Sequence, residues 1–293
     1  MELLLSALEA FLNKMPYFGF LFVLLLLGVL LFRKTLRYNR SDGQPFGFDS
    51  ELTSRDNPAF GIYFAGYIVG LAVALAGTLS GLGGDVLEDF TTMTINGLLA
   101  IVLMRLSATV NDRLILTRFD DKKEIIEDRN AGTSFVYVGS FMATGLMING
   151  VLTGESESLA FMVRDIVIYW VVGQIILILG GRVFQIISHY DVQAVIEKDN
   201  VAAGICFGFF LAALGGVARM ALAGASSEIW TDLVSVVVFA TLGTFLLCAG
   251  RFAADKVMLP TSPLDHEIAD DGNTGAAAVV AAVFSSIAIL LAF

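Results

Sequence analysis

The sequence predicts an all-α, polytopic integral membrane protein of eight transmembrane helices, arranged as four parallel pseudo-repeated hairpins. Hydrophobic residues make up 56% of the 293 positions, charged residues 16%, and the mean hydropathy is +0.77. This composition is too apolar for an ordinary soluble domain. The apolar residues form eight runs of membrane-spanning length, and a short motif of Asp and Asn precedes every second run, which indicates a repeat.

The eight predicted spans follow one another with short connections. In chain order they cover about Tyr17–Phe32, Pro58–Leu79, Phe90–Met104, Ala131–Leu152, Ile166–Gly181 extending toward Ile187, Val201–Val217, Leu233–Gly250 and Thr274–Phe293. Arg105 and Arg182 set the ends predicted for the third and fifth spans, because a charged side chain is costly within the bilayer.

The distribution of Lys and Arg predicts the orientation. Of the 18 basic residues, 15 lie in the four connections on one side of the predicted spans. Connections rich in Lys and Arg stay in the cytoplasm, so we expect a multi-pass protein of the bacterial inner membrane with both termini in the periplasm. The net charge of -10 argues against nucleic acid as a partner and leaves membrane lipid as the expected surrounding.

The repeated motif divides the chain into equal parts. It reads Asp56-Asn57, Asp128-Arg129-Asn130, Asp199-Asn200 and Asp271-Gly272-Asn273. The first and third Asn are 200 − 57 = 143 residues apart, and the second and fourth are 273 − 130 = 143 apart. This spacing predicts two copies of a four-helix unit, residues 1–153 and 154–293, related by an axis along the membrane normal.

Further residues keep register with the motif. A small residue follows two places after each Asn, and a glycine follows eight or nine places after three of them, at Gly66, Gly139 and Gly208, with Ala282 in the fourth repeat. This combination resembles the YjfL-like family of bacterial inner-membrane proteins, domain of unknown function 350. Most members resemble one half of this chain, so the resemblance implies two tandem copies. It implies an inner-membrane location and no particular chemistry.

The motif itself has two compatible interpretations. Asp and Asn favour the first turn of a helix, where their side chains accept hydrogen bonds from unpaired N–H groups. Alternatively, the four helix ends gather into a polar ring that binds cations or a partner. Three glutamates stand six residues before an Asn and would join such a ring: Glu51, Glu124 and Glu267.

Five arginines are candidates for interactions at the membrane boundaries. Arg33, Arg105, Arg182 and Arg251 stand near the ends of the odd spans. We expect these side chains to reach the lipid interface, with an ion pair to an Asp of a neighbouring repeat as the alternative. Arg219 is a separate candidate, because it lies in the outer half of an even span and has no counterpart in the other repeats.

Small residues distinguish the even spans from the odd ones. Glycines four residues apart favour close helix packing in lipid, and they occur as Gly66 and Gly70, Gly77 and Gly81, Gly150 and Gly154, and Gly204 and Gly208. Odd spans are rich in Leu, Val, Ile and Phe. We therefore predict an inner cluster of even helices, to which Gly139 also contributes, with odd helices outside.

The four linkers on the basic side differ in sequence. Asn111–Asn130 alternates apolar and charged residues, which predicts an amphipathic helix on the inner leaflet, and Phe184–Asn200 resembles it. Arg37–Asp56 and Pro260–Gly272 contain Gly and Pro, which predicts looser chain.

The remaining polar residues give little sign of chemistry. Cys206 and Cys248 lie inside spans, where Cys commonly acts as a small apolar residue, and His189 and His266 lie in separate linkers. We expect no metal and no cofactor. No nucleophile–base constellation is recognisable, which predicts that the protein is not an enzyme.

The leading functional hypothesis is a channel or passive path for small ions or polar solutes. It rests on the parallel repeats, the small residues of the even spans and the acidic outer loops. The alternative is a non-conducting membrane scaffold, or a component of an envelope stress response, that recruits a cytoplasmic protein partner through its linkers. Gly-rich helix faces also suit a homo-oligomer.

Overall fold

The computed structural model describes residues 1–80, 82–83, 85–154, 158–223 and 228–292. Within these ranges the chain is helical almost throughout. The α-helices are α1 (Glu2–Thr35), α2 (Phe48–Thr53), α3 (Pro58–Ala76), α4 (Val86–Val110), α5 (Asp121–Ile126), α6 (Ala131–Thr153), α7 (Leu159–Ile187), α8 (Val192–Glu197), α9 (Val201–Leu222), α10 (Ile229–Ala253), α11 (Leu264–Ala269) and α12 (Thr274–Ala292).

The all-α membrane fold is confirmed. Eight helices of the described chain are long and apolar enough to span a bilayer. The third and fifth spans are longer than predicted, at Val86–Ile115 and Leu159–Ile187. Arg105 and Arg182 lie within these helices rather than at their ends, because a long side chain can reach the interface from inside a helix.

Each repeat unit consists of a long odd helix, a six-residue linker helix and an even helix. We number the units by their helices: unit 1 is α1–α3, unit 2 is α4–α6, unit 3 is α7–α9 and unit 4 is α10–α12. All four linker helices lie at one end of the bundle, the linker end. Both termini lie at the other end, the loop end.

The predicted difference between the linkers is wrong. Asn111–Asn130 is not one amphipathic helix, because a π-helical turn at Asn111–Ile115 and a non-helical stretch precede α5. The linkers with Gly and Pro contain equivalent helices, α2 and α11. Gly47 and Pro263 stand at the N-caps of these helices, where neither residue interrupts the helix.

The spans form two layers. The even helices pack side by side in the order α3, α6, α9 and α12, and the odd helices α1, α4, α7 and α10 form a second row against one face. The predicted cluster of even helices is therefore an open row, with the odd helices along one of its faces. Buried positions make up 78% of the α6 span and 72% of the α9 span, but only 28% of the α12 span, because α12 has an even neighbour on one side only.

Glycines bring the even helices into backbone contact. A Cβ at Gly70 would lie 2.6 Å from the carbonyl oxygen of Phe141, and one at Gly150 would lie 2.8 Å from that of Arg219. Gly154 ends α6, and Gly81 lies outside the described residues. The other predicted packing glycines meet the neighbouring even helix in the same way: Gly66, Gly77, Gly139, Gly204 and Gly208.

Candidate functional site

The Asn of the repeated motif joins each unit to the next. Asn57 Oδ1 accepts a hydrogen bond from the N–H of Phe60 at 3.1 Å, which caps α3. Its Nδ2 donates to the carbonyls of Ile125 and Ile126 at 3.0 and 3.3 Å, at the end of the linker helix of unit 2. One side chain thus caps its own span and binds the following unit.

The same joint recurs twice more along the row. Asn130 caps α6 and donates to Ile196 O of unit 3 at 2.6 Å. Asn200 caps α9 and donates to Ile268 O of unit 4 at 2.8 Å. The predicted ring of polar helix ends is therefore a line of joints between neighbouring units.

The Asp residues of the motif do not cap the spans that follow them, although Asp199 accepts a hydrogen bond from the N–H of Ala131 at the start of α6. The residue immediately before each Asn has a positive φ. It is Asp56 at 46° and Asp199 at 65° in units 1 and 3, and Arg129 at 58° and Gly272 at 60° in units 2 and 4. This left-handed residue reverses the chain between linker helix and span, and Asp and Gly tolerate it better than most residues. The Asp carboxylates are exposed, and Asp128 pairs with Lys123. Asp271 lies within 3.7 Å of His266.

The glutamates bind the Asn of their own unit. Asn130 Nδ2 donates to Glu124 at 2.9 Å, and Asn273 Nδ2 donates to Glu267 at 2.7 Å, as Asn57 does to Glu51. Burial raises the pKa of Glu124. Hydrogen bonds from Ser262 and Asn273 lower the pKa of the half-buried Glu267. The last unit therefore keeps the motif in an exposed setting.

The four arginines of the odd spans have unlike environments. Arg33 binds Asp49 at 2.6 Å on the surface, and Arg251 is buried against Asp265. Both partners belong to the arginine's own unit. Arg105 donates to Thr35 Oγ1 at 3.0 Å, and Arg182 is exposed.

Arg219 takes part in a polar connection across three even helices. Its Nε donates to Asn149 Oδ1 at 2.7 Å, and Asn149 Nδ2 donates to Val73 O at 2.9 Å. This arrangement links α9, α6 and α3 near the loop end, which is a structural use of the outer-half candidate.

The cysteines and histidines are not brought together. Cys206 and Cys248 are free thiols within α9 and α10. His189 contacts Asp265, and His266 contacts Asp270. No group of three or more possible metal-ligating His, Cys, Asp or Glu side chains occurs among the described residues.

The most unusual site was missed by the motif analysis. Asp121, the first residue of the linker helix of unit 2, has no exposed surface. Its Oδ2 accepts a hydrogen bond from Tyr137 of α6 at 2.9 Å, and Asn111 lies beside the same hydroxyl. Burial, with Asp112, Asp120 and Glu124 nearby, raises the pKa of Asp121 to about 9. The carboxyl is therefore neutral at pH 7.

Three polar atoms of this trio lack hydrogen-bond partners among the described residues. Asp121 Oδ1 and both amide atoms of Asn111 are buried without a hydrogen bond to any described residue. A cleft of about 10 Å³ reaches Tyr137 of the trio, but neither Asp121 nor Asn111 lines it. Buried polar atoms are rarely left unpaired, so the trio suits a water, a proton or a small cation.

A buried polar stripe continues from the trio along α6. Thr133, Tyr137, Ser140 and Thr144 are spaced so that they lie on one face of the helix. All four are buried, and Thr144 accepts a hydrogen bond from Gln174 of α7 at 3.2 Å. Thr133 Oγ1, Ser140 Oγ and Gln174 Oε1 have no partner among the described residues. Thr144 is 14 residues beyond Asn130, or about 21 Å along the helix.

The second copy of the repeat replaces these polar residues with apolar ones. Adding 143 to each number converts the trio Asn111, Asp121 and Tyr137 into Ala254, Leu264 and Val280. All three replacements are buried, and Asn111 and Ala254 both begin a π-helical turn. The rest of the stripe becomes Ala276, Val283 and Ile287. Aligning the two copies position by position would have revealed this contrast, which inspection of the motif alone did not.

Comparison with known proteins agrees with the duplication. The family model of a domain of unknown function, DUF350, matches residues 6–152 and again residues 156–293. No curated protein and no solved structure is significantly similar to the chain. The two matches cover nearly all of the sequence, and the chain therefore belongs to the DUF350 family as two tandem copies of its domain.

Proposed function

We propose that this protein is a non-enzymatic protein of the bacterial inner membrane that provides a passive path for protons or small cations. The linker end faces the cytoplasm and both termini face the periplasm, in agreement with the 15 basic residues of the linker-side connections among 18 in total. The observation that supports the path is the buried polar stripe of unit 2, which has an apolar equivalent in unit 4.

Polar residues inside a membrane bundle are costly and mark ion or proton pathways. The equivalent positions of unit 4 hold buried Ala, Leu and Val, so this fold accommodates apolar side chains there. The unpaired oxygens of Thr133, Ser140 and Gln174 would instead be satisfied by water or an ion passing between α6 and its odd neighbours.

The residues of the stripe have different roles in this proposal. Asp121 holds a proton at the cytoplasmic end, releases it into the path and is protonated again from the cytoplasm, and Tyr137 fixes its carboxyl through the 2.9 Å hydrogen bond. Asn111 supplies both a donor and an acceptor beside it. Ser140 and Thr144 extend the oxygen-lined route toward the middle of the membrane. The seam between α6 and α9 is no alternative route, because Gly139 and Gly208 meet there backbone to backbone.

The test is ion flux into liposomes that contain the purified protein and a pH-sensitive dye, driven by a potassium diffusion potential. The decisive variant is Asn111→Ala/Asp121→Leu/Tyr137→Val, which gives unit 2 the trio of unit 4 and should fold. We expect the wild-type protein to conduct. The triple variant and Ser140→Val should show only the leak of protein-free liposomes. Asp270→Asn, which removes an exposed carboxylate, should conduct like wild type.

Two outcomes would overturn the path. One is folded wild-type protein that passes neither protons nor Na⁺ nor K⁺, which would favour the non-conducting scaffold. The other is wild-type flux through the triple variant, which would separate conduction from the polar trio.

A further inference from the structure

The two ends of the even row expose the two halves of one interface. Inside the chain this interface occurs three times, and each copy contains an Asn joint at the linker end and a contact of small residues between even helices. Among the described residues, no later unit packs against unit 4 and no earlier unit packs against unit 1. Each end therefore presents the half that its missing neighbour would cover.

The half presented by unit 4 is exposed. Asn273 Nδ2 donates to Glu267 of its own unit, and in the part of the chain that the structure describes it has no bond to the linker helix of another unit like those of the other Asn residues. Gly275, Ala282 and Ser286 lie 2, 9 and 13 places after Asn273, and all three are exposed. Their counterparts on α6 are Gly132, Gly139 and Ala143, which contact Asn200, Gly208 and Gly215 of unit 3.

The half presented by unit 1 is complementary. Ala65, Ala72 and Ala76 lie 8, 15 and 19 places after Asn57 on α3, and the first and third are exposed. The same places on α9 are Gly208, Gly215 and Arg219, which contact the preceding helix α6. Leu52 and Thr53 correspond to Ile125 and Ile126, the residues whose carbonyls accept the bonds of Asn57.

We propose that a second copy of this chain docks end to end, with α12 of one copy against α3 of the next. A second copy is the favoured occupant because both faces derive from the same repeated interface, so each end already has the shape and the hydrogen-bonding groups of the other. Small side chains on both sides allow helices to approach in lipid, where packing drives association. Ala282 in place of glycine gives this contact a wider spacing than that of Gly139 and Gly208.

The proposed contact is heterologous, since different faces of the two copies meet, and it therefore generates a ring or an open chain of copies. It does not depend on conduction. A distinct arrangement is an isologous dimer through the uncovered face of the even row, which would place identical residues opposite each other. The same experiment distinguishes the two arrangements.

The test is cysteine cross-linking in native membranes, in a background in which Cys206 and Cys248 are replaced by Ala. Ala65→Cys and Ala282→Cys are placed in one chain, and oxidation should give covalent dimers and higher species. Each single variant should remain monomeric, whereas a mixture of the two single variants should give a dimer containing one of each. The control pair is Val102→Cys with Ala282→Cys, because Val102 is 53% exposed on an odd helix; it should not cross-link.

Cross-linking of either single variant with itself would show an isologous contact and overturn the proposal. A second pair, Thr53→Cys with Asn273→Cys, tests the linker end of the same contact. If neither this pair nor Ala65→Cys/Ala282→Cys forms cross-links, the proposal is also overturned. Both pairs lie on exposed surfaces, so loss of folding is not expected to obscure the result.

Discussion

Replacing Asp121 by Leu should stabilise the protein at neutral pH. The folded state raises the pKa of this carboxyl from 3.8 to about 9, so above pH 3.8 the unfolded chain releases a proton that the folded chain retains. The wild type therefore loses stability as pH rises from about 4 to about 9. About three pH units separate the ordinary value from pH 7, and each is worth about 1.4 kcal/mol, so the wild type loses about 4 kcal/mol of stability between pH 4 and pH 7 that Asp121→Leu does not lose.

The assay is thermal unfolding in detergent, followed by circular dichroism between pH 4 and 9. The apparent melting temperatures of wild type and Asp121→Leu should lie closest at pH 4 and diverge as pH rises. Asp270→Asn, which changes an exposed carboxylate, should follow wild type. Parallel curves for wild type and Asp121→Leu across this range would refute the assignment of a buried neutral carboxyl.

Three further predictions concern the joints and seams between units. Asn130→Leu should destabilise the protein by about 2 kcal/mol, because it removes a cap and buried hydrogen bonds, whereas Asn273→Leu in monomeric detergent protein should cost less than about 1 kcal/mol. Chemical denaturation measures both. Gly208→Ala should cost about 3 kcal/mol or more through a backbone clash, while Gly19→Ala, with no neighbour within 4 Å of an added Cβ, should not destabilise. Arg219→Leu leaves the Asn149 oxygen unpaired and should cost about 1–3 kcal/mol in the same assay.

The spans could be predicted from sequence because their signal is local. Hydropathy locates eight helices, and the recurring Asn locates the starts of the even ones. The linker helices could not be predicted in this way, since six residues are too few to form a stable helix alone. α2 and α11 instead depend on tertiary contacts, including the buried side chains of Phe48 and Leu264.

The layer arrangement also depends on information beyond each helix. Four-residue glycine spacing indicates that even helices approach closely, but it does not predict whether the fourth even helix, α12, contacts the first, α3. In the structure each unit binds the next through an equivalent joint, as Asn57 and Asn130 do, and repetition of one contact extends the row without closing it. Enclosure would require a further contact between α3 and α12.

Because the chain contains two copies of one domain, equivalent positions of units 2 and 4 can be compared. The two copies use equivalent helices and equivalent turns, so the apolar trio of unit 4 shows which side chains satisfy packing at these positions. In unit 2 the same positions hold Asp121, Asn111 and Tyr137, which bury polar atoms that have no partner among the described residues. Such burial destabilises a fold, and a protein that carries destabilising groups at one site commonly does so for activity. The difference between the copies therefore identifies the polar stripe, rather than the repeated Asn motif, as the feature that the fold alone does not explain.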